Sequence, residues 1–481
     1  MNVAEMLLAA PEFWILILAC VVMCVDVFLD ESRRGIIHMI AMLALMFAAI
    51  ITMRGDYHSD GAWAVTAFND TFIRDPMGDV LKLFCYAILA LVFTYSKHYL
   101  RAFGLFRTDF YTLTLFALLG VMLLISANSL IMVYLGLELT SLSSYALVAF
   151  DRNSRRGSES AMKYFVLGSL ASGLLLYGMS MIFGATGSLQ LQEIAMAISS
   201  DGSDDILLVF GLVFMVAGIA FKLGVAPFHM WVPDVYHGAP AAVTLFISTI
   251  PKLAAFAMAY RLLNGGLGAL HGDWQQMLMF LSVLSIMIGN LAAIMQTNIK
   301  RMLAYSTISH MGFMLLGMLP GTAYGFGASM FYVIVYALMS AAGFGMLILL
   351  SAKGIEADEI NDFKGLNQRN SWYAAIMAMV MFSMAGVPVF VGFFAKWLVI
   401  KATLDAGFVW LAVLAVVFSV IGAFYYLRVV KVMYFDDADN EAPIVAPVDF
   451  GAAISLNGIL MLGLGIFSSS LIAICMASFS P

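Results

Sequence analysis

Fourteen windows of about 20 mainly apolar residues, each long enough to cross a bilayer as a helix, recur along this 481-residue sequence. They lie near 12-29, 35-53, 77-96, 109-126, 129-150, 160-184, 204-226, 240-262, 275-297, 301-319, 325-351, 371-402, 408-434 and 452-477. Hydrocarbon offers no water to unpaired backbone groups, so a spanning chain must satisfy them as helices or as a closed barrel. Windows of this length predict helices, and hence an all-α polytopic membrane protein embedded in a lipid bilayer. Composition agrees: 11% of residues are charged, against about a quarter in soluble domains. The first apolar run has no Lys or Arg before it and reads as a retained span, not a secretory signal.

The same composition excludes several classes. No basic patch with interleaved aromatics occurs, so nucleic acid is not a partner. Cys20, Cys24, Cys85 and Cys475 sit in apolar windows without CxxC spacing, which implies free thiols and neither zinc nor iron–sulfur ligation. The sequence has no Walker loop, no GxGxxG after a strand, and no haem or flavin signature. No cofactor or metal is therefore expected in this chain, and any redox chemistry or ATP use falls to partners.

Sorting Lys and Arg onto alternate sides gives an orientation. Sixteen of the 24 lie after odd-numbered windows, among them Arg33, Arg34, Arg152, Arg156, Lys300 and Lys353. Four lie on the other side, and Lys82, Lys222, Lys252 and Lys396 remain inside windows. Both termini are expected outside, on the side whose loops carry Glu193, Asp201, Asp204 and Asp205. The polar pieces 54-76, 186-205, 353-370 and 435-450 read as solvated loops, with an acidic cytoplasmic turn at 436-441. Asn69-Asp70-Thr71 matches a glycosylation acceptor, a short and weak match.

The chain also divides: a three-helix segment (1-108), a five-window block (109-262), a second five-window block (275-434) and a C-terminal helix (435-481). Because five is odd, the blocks enter the membrane from opposite sides and form two inverted five-helix repeats. The fourth window of the first block carries FKLGVAP and that of the second AGVPVFVGFFAK. Each couples a Gly/Pro interruption to one lysine, Lys222 or Lys396. Discontinuous helices at matching positions of inverted repeats point to a transport site.

A charged side chain at bilayer depth costs roughly 2.5 to 3.5 kcal/mol on insertion scales and is usually functional. Lys222 precedes Pro227, which removes a backbone donor. Lys252 follows Pro251 inside the next window, with about ten residues on either side. Lys396 lies among Phe393, Phe394 and Trp397, where a function in ion transfer or snorkelling to an interface remain alternatives. Glu138 sits in GLELTSLSSYALVAF and wants a cation, Lys222 or Lys163; a static pair and a proton site are both open. Lys163 is ambiguous. His229, in the APFHMW turn, and His310, in AYSTISHMGFM, read as hydrogen-bonded structure or as proton relays. Asp234 and His237 shape their loop or line an entry funnel. Lys82, three residues after Asp79, reads as a helix-surface pair or interfacial anchor.

FKLGVAPFHMWVPDVYHGAPAAVTLF, KRMLAYSTISHMGFML, SMAGVPVFVGFFAKW and GLELTSLSSYALVAF together resemble the antiporter-like membrane subunits of proton-pumping NADH:quinone oxidoreductase, respiratory complex I. Within that family the N type fits: Lys396 in place of Glu disfavours the M type, and an end at Pro481 disfavours the L type. The resemblance covers windows four to thirteen. It implies about 14 helices and a proton path along a hydrated axis through Glu138, Lys222, Lys252 and Lys396, with Lys163, His229 and His310 secondary. A proton would enter from the cytoplasmic side near His229, pass Lys222 and Lys252, and leave through Lys396. It further implies a hetero-oligomer with other membrane subunits in a bacterial inner membrane, both termini periplasmic. NAD, FMN, iron–sulfur clusters and quinone would be held by partner subunits. The rival readings are a subunit of a multisubunit sodium/proton antiporter, a structural scaffold, and an independent solute transporter.

Overall fold

A computed structural model describes residues 3–29, 34–54, 63–201, 206–351, 354–438 and 443–480. Arg33, Asp204, Asp205, Lys353 and residues 439–441 of the acidic turn lie outside the described residues.

The N-terminal segment holds α1 (Val3–Leu8), α2 (Ala10–Asp26), α3 (Gly35–Arg54) and α4 (Pro76–Ala102). Next come α5 (Thr108–Ile125), α6 (Leu130–Val148), α7 (Arg155–Thr186), α8 (Leu191–Asp201), α9 (Ile206–Leu223), α10 (Trp231–Gly238) and α11 (Ala241–Tyr260). The second half has α12 (His271–Ile294), α13 (Ile299–Met318), α14 (Ala323–Leu350), α15 (Leu366–Arg369), α16 (Ser371–Ala385), α17 (Val391–Asp405) and α18 (Val409–Phe435). Helices α19 (Val448–Ile466) and α20 (Ser468–Ala477) end it.

Local chemistry sets many of these boundaries. Asp75 precedes Pro76 and accepts the Gly78 N–H at 2.8 Å, Ser154 accepts from Gly157, and Asn298 from Arg301. Each satisfies one of the donors a helix start leaves open. Among the described residues, eleven helices are long and apolar enough to cross a membrane. The three remaining windows differ for separate reasons. Window 12-29 gives a helix of 17 residues. Window 301-319 gives α13, made polar by Lys300, Arg301, Ser306, Thr307, Ser309 and His310. Window 371-402 is divided by residues 386–390 into α16 and α17, of 15 residues each.

One element departs from an all-α fold. A hairpin pairs Val65–Ala67 with Phe72–Arg74, and its turn residues Phe68, Asn69 and Asp70 have φ of 55, 54 and 58°. Asn and Asp adopt that region readily; a bulky residue such as Phe68 does so at a cost. The turn is held from outside, by Asn128 donating to the Asp70 carbonyl at 2.8 Å and by the Ile73 N–H on Ser126.

The N-terminal segment also corrects the reading of Lys82. Asp79 is taken by Arg74 at 3.2 Å, while Lys82 is buried against Glu12 of α2. The pair joins two helices inside the protein and is not an interfacial anchor. At the centre of the molecule, α11 is buried from Ala241 to Ala259 and packs against α14, α4 and α5.

Candidate functional site

Two helices end abruptly inside the bundle, and they end alike. At Leu223 the chain turns through Gly224 at φ 76°, with the N–H groups of Gly224 and Val225 both returning to the Ala220 carbonyl. At Ala385 it turns through Gly386 at φ 88°, with Gly386 and Val387 both returning to Phe382. This closure needs a left-handed residue, supplied by glycine. With the glycine N–H shared onto Phe221 or Ser383, it satisfies two carbonyls of the last turn and leaves later ones open, at the negative end of the helix dipole.

A lysine fills each opening. Lys252 Nζ donates to the Leu223 carbonyl at 2.8 Å and approaches that of Lys222 at 3.4 Å. Lys396 Nζ donates to the Ala385 carbonyl at 2.9 Å and to Ser419 Oγ at 3.0 Å. Both also stand over aromatic rings, Lys252 at 5.1 Å from the Trp231 centroid and Lys396 at 5.3 Å from that of Phe313. Sequence position pairs Lys222 with Lys396, each on its broken helix. Contact geometry instead pairs Lys252 with Lys396.

Lys222, in the last turn of α9, donates to Ser141 Oγ of α6 at 2.9 Å. Ser141 lies three residues after Glu138, so α9 and the Glu138 helix are joined by a hydroxyl. No direct Glu138–Lys222 ion pair forms within 4 Å among the described residues, and Glu138 Oε1 is buried without a hydrogen-bond partner. Lys163 is not the alternative partner: it pairs with Asp234 at 2.9 Å and Glu159 at 3.0 Å. Lys222, Lys252 and Lys396 are 6, 1 and 8% exposed, which removes snorkelling as a reading of Lys396.

His229 lies in the break at 224–230, mostly buried, with Nδ1 lacking a hydrogen-bond partner among the described residues. Its neighbours Pro227 and Met230 are exposed, so the break reaches the protein surface. Asp234 accepts from Lys163 and Arg301, both at 2.9 Å, and His237 receives a hydrogen bond from Arg156 at 2.6 Å.

Helices α11, α12, α13, α14 and α18 also share buried hydroxyls and one imidazole. His310 contacts the Tyr332 hydroxyl at 2.7 Å and the Tyr426 hydroxyl at 3.0 Å, and Tyr426 contacts Ser306. Thr307 meets the Tyr336 hydroxyl at 2.7 Å, Ser340 donates to Ser248 of α11 at 2.9 Å, and Asn290 donates to Ser309. Sequence reasoning identified only His310 here. The signal was present in α14, where Ser329, Tyr332, Tyr336 and Ser340 fall at intervals of three, four and four on one face of an otherwise apolar helix.

A family profile described as "NADH:quinone oxidoreductase/Mrp antiporter, TM" matches residues 127–422, which contain both breaks. A relative from Thioalkalivibrio sulfidiphilus, "NADH-quinone oxidoreductase subunit N", is 51% identical over 480 residues, covering 100% of this chain and 99% of that one. A relative of the same name from Azoarcus sp. is 54% identical over 475 residues, covering 97% and 96%. A chain of "Respiratory complex I from Thermus thermophilus with bound Aureothin" superposes with a TM-score of 0.81 at 29% identity, over 96% of this chain and 98% of that one. A chain of the Mrp complex from Dietzia sp. shares the fold, with a TM-score of 0.87 at 19% identity over 100% and 97%. With a family match over more than half of its length and relatives above 50% identity over nearly all of it, the chain belongs to the NADH:quinone oxidoreductase/Mrp antiporter membrane family, in the branch named NADH-quinone oxidoreductase subunit N.

Proposed function

We propose that this chain is a proton-translocating membrane subunit of NADH:quinone oxidoreductase, a hetero-oligomeric membrane complex, and that Glu138, Lys222, Lys252 and Lys396 carry the proton. The reading has fourteen spans, with two inverted five-helix repeats at 109-262 and 275-434, a preceding three-helix segment and a C-terminal helix. The Lys/Arg bias puts both termini on the periplasmic side of the inner membrane. Electron transfer falls to partner subunits holding NAD, FMN, iron–sulfur clusters and quinone, and this chain converts that energy into proton movement.

The observation that carries the reading is the matched pair of lysine-capped helix breaks. An ammonium on open carbonyls at the negative end of a half-helix is favourable; a neutral amine there is held less firmly. Loading or unloading Lys252 or Lys396 therefore changes what holds a broken helix end, which couples a proton to a conformational state. Lys222 receives from the side of Glu138 through Ser141, and His310, held by Tyr332 and Tyr426, is a relay group of the second half. His229, in the break that reaches the protein surface, is the entry group for a proton arriving from the cytoplasmic side.

The test is Lys222→Ala in the assembled complex, reconstituted into vesicles, with proton pumping, quinone reductase rate and assembly measured together. Pumping and reductase rates that fall together in an assembled complex support the path. Parent-like pumping leaves Lys222 structural and removes the centre of the reading. Pumping that depends on sodium would instead favour the antiporter alternative.

A further inference from the structure

Helix α11 carries Lys252 and starts without a cap of its own. Its N-cap is Pro240, with no side-chain acceptor, and the preceding residues HGAP offer no Ser, Thr, Asp or Asn. The acceptor comes from 115 residues away: Glu356 Oε1 takes the Ala241 N–H at 2.8 Å. The same carboxylate accepts from the Tyr99 hydroxyl of α4 and from Lys300 Nζ of α13, and Lys300 also donates to the Ala239 carbonyl at 3.1 Å. The loop bearing Glu356 is tied down in turn, with the Ile299 N–H on the Asp358 carbonyl at 2.7 Å and the Ile360 N–H on that of Thr297 at 2.9 Å.

Further along, α11 passes at Arg261 into a π-helical turn, Arg261–Gly266; Arg261 pairs with buried Asp75 at 2.6 Å and donates to the Ile125 carbonyl at 3.1 Å. An anion at the N-terminus complements the dipole of a helix, and the Arg261–Asp75 pair ties the helix to α4. Between them, Lys252 must meet the end of α9. A slip of α11 by one residue, about 1.5 Å, would stretch the 2.8 Å contact with Leu223 to the edge of hydrogen-bond range or past it.

We propose that Glu356 is a positioning residue of the proton path: seated on the N-terminus of α11 by Lys300 and Tyr99, its carboxylate fixes the height of α11 against α9 and so holds Lys252 at the Leu223 carbonyl. The proposal rests on the reading of Lys252 as a path residue. It assigns work to a side chain in a loop outside the membrane spans, and it requires an anion at that place, not merely an ion pair.

The experiment compares Glu356→Ala, Glu356→Gln, the swap Glu356→Lys with Lys300→Glu, and Lys252→Ala in the reconstituted complex. Pumping, assembly and amide exchange over the first turn of α11 are the readouts. Glu356→Ala is expected to lower pumping about tenfold, with assembly kept and exchange at Ala241 and Ala242 accelerated. Glu356→Gln, which keeps an acceptor for Ala241 and is the milder variant if Glu356→Ala assembles poorly, is expected to lose less. The swap restores an ion pair but places a cation on the helix N-terminus, and it is expected to stay defective. Parent-like pumping by Glu356→Ala or by the swap overturns the proposal while Lys252→Ala still fails. Parent-like pumping by Lys252→Ala overturns the path itself.

Discussion

Lys252 Nζ donates to the carbonyl oxygen of Leu223, the last residue of α9, across 2.8 Å. Lys396 makes the corresponding contact with Ala385, the last residue of α16, at 2.9 Å. A cation at a partly buried helix C-terminus contributes up to about 2 kcal/mol, and about 1.4 kcal/mol is a factor of ten in rate. Lys252→Met and Lys396→Met, similar in length but uncharged, are each expected to lower pumping by about tenfold or more. Vesicle acidification with an internal pH dye measures this, and a blue-native gel shows that the complex still assembles.

Gly386 separates backbone strain from its effect on a lysine. A Cβ there would meet Lys396 Cδ at 2.9 Å, with φ at +88°; at Gly407, φ is +87° and nothing lies within 4 Å. Left-handed backbone costs a non-glycine residue about 1–2 kcal/mol. Gly386→Ala and Gly407→Ala therefore share the strain, and only the first displaces Lys396. Gly386→Ala is expected to lower pumping several-fold while Gly407→Ala pumps like the parent, with thermal unfolding of both shifted down by similar amounts.

Helical breaks were legible because Gly and Pro interrupt apolar windows, and buried lysines because a charge stands out against such windows. Partnerships were not. Glu138 was matched with Lys163 or Lys222 by charge alone, whereas Lys163 answers to Asp234 of α10 and Lys222 to the Ser141 hydroxyl. Lys82 was matched with Asp79 because they are three residues apart, but Glu12, 70 positions away by residue number, reaches it across a helix packing. Ion pairs between helices depend on rotation and height, which window hydropathy does not encode. The hairpin at residues 65–74 was equally hidden, since its three-residue strands are too short for a period-2 pattern.

The Glu12–Lys82 pair supplies a test of buried charge. Their side chains are 5 and 1% exposed. Removing one partner of such a pair leaves an uncompensated charge and costs about 3–5 kcal/mol, while replacing both with apolar residues is often neutral. Lys82→Met is expected to lower assembly yield and melting temperature sharply. Adding Glu12→Leu is expected to restore most of both. A double variant no better than the single would assign the pair a role beyond packing.

Glu356 ties stability to pH with a definite sign. Burial works to raise its pKa, but the Lys300 charge and the hydrogen bonds from Lys300, Tyr99 and the Ala241 N–H outweigh that and hold it below its ordinary value of 4.5. A carboxyl with a depressed folded pKa contributes stability that is complete above the unfolded value and lost as pH falls through the folded one. The melting temperature of the complex should therefore exceed that of Glu356→Gln by a constant margin at neutral pH. The margin should narrow only once pH drops below about 4.5, through loss by the parent. A margin that instead shrank between pH 6 and 8 would mean that the carboxyl is held protonated by burial, and that Lys300 fails to stabilise its charge.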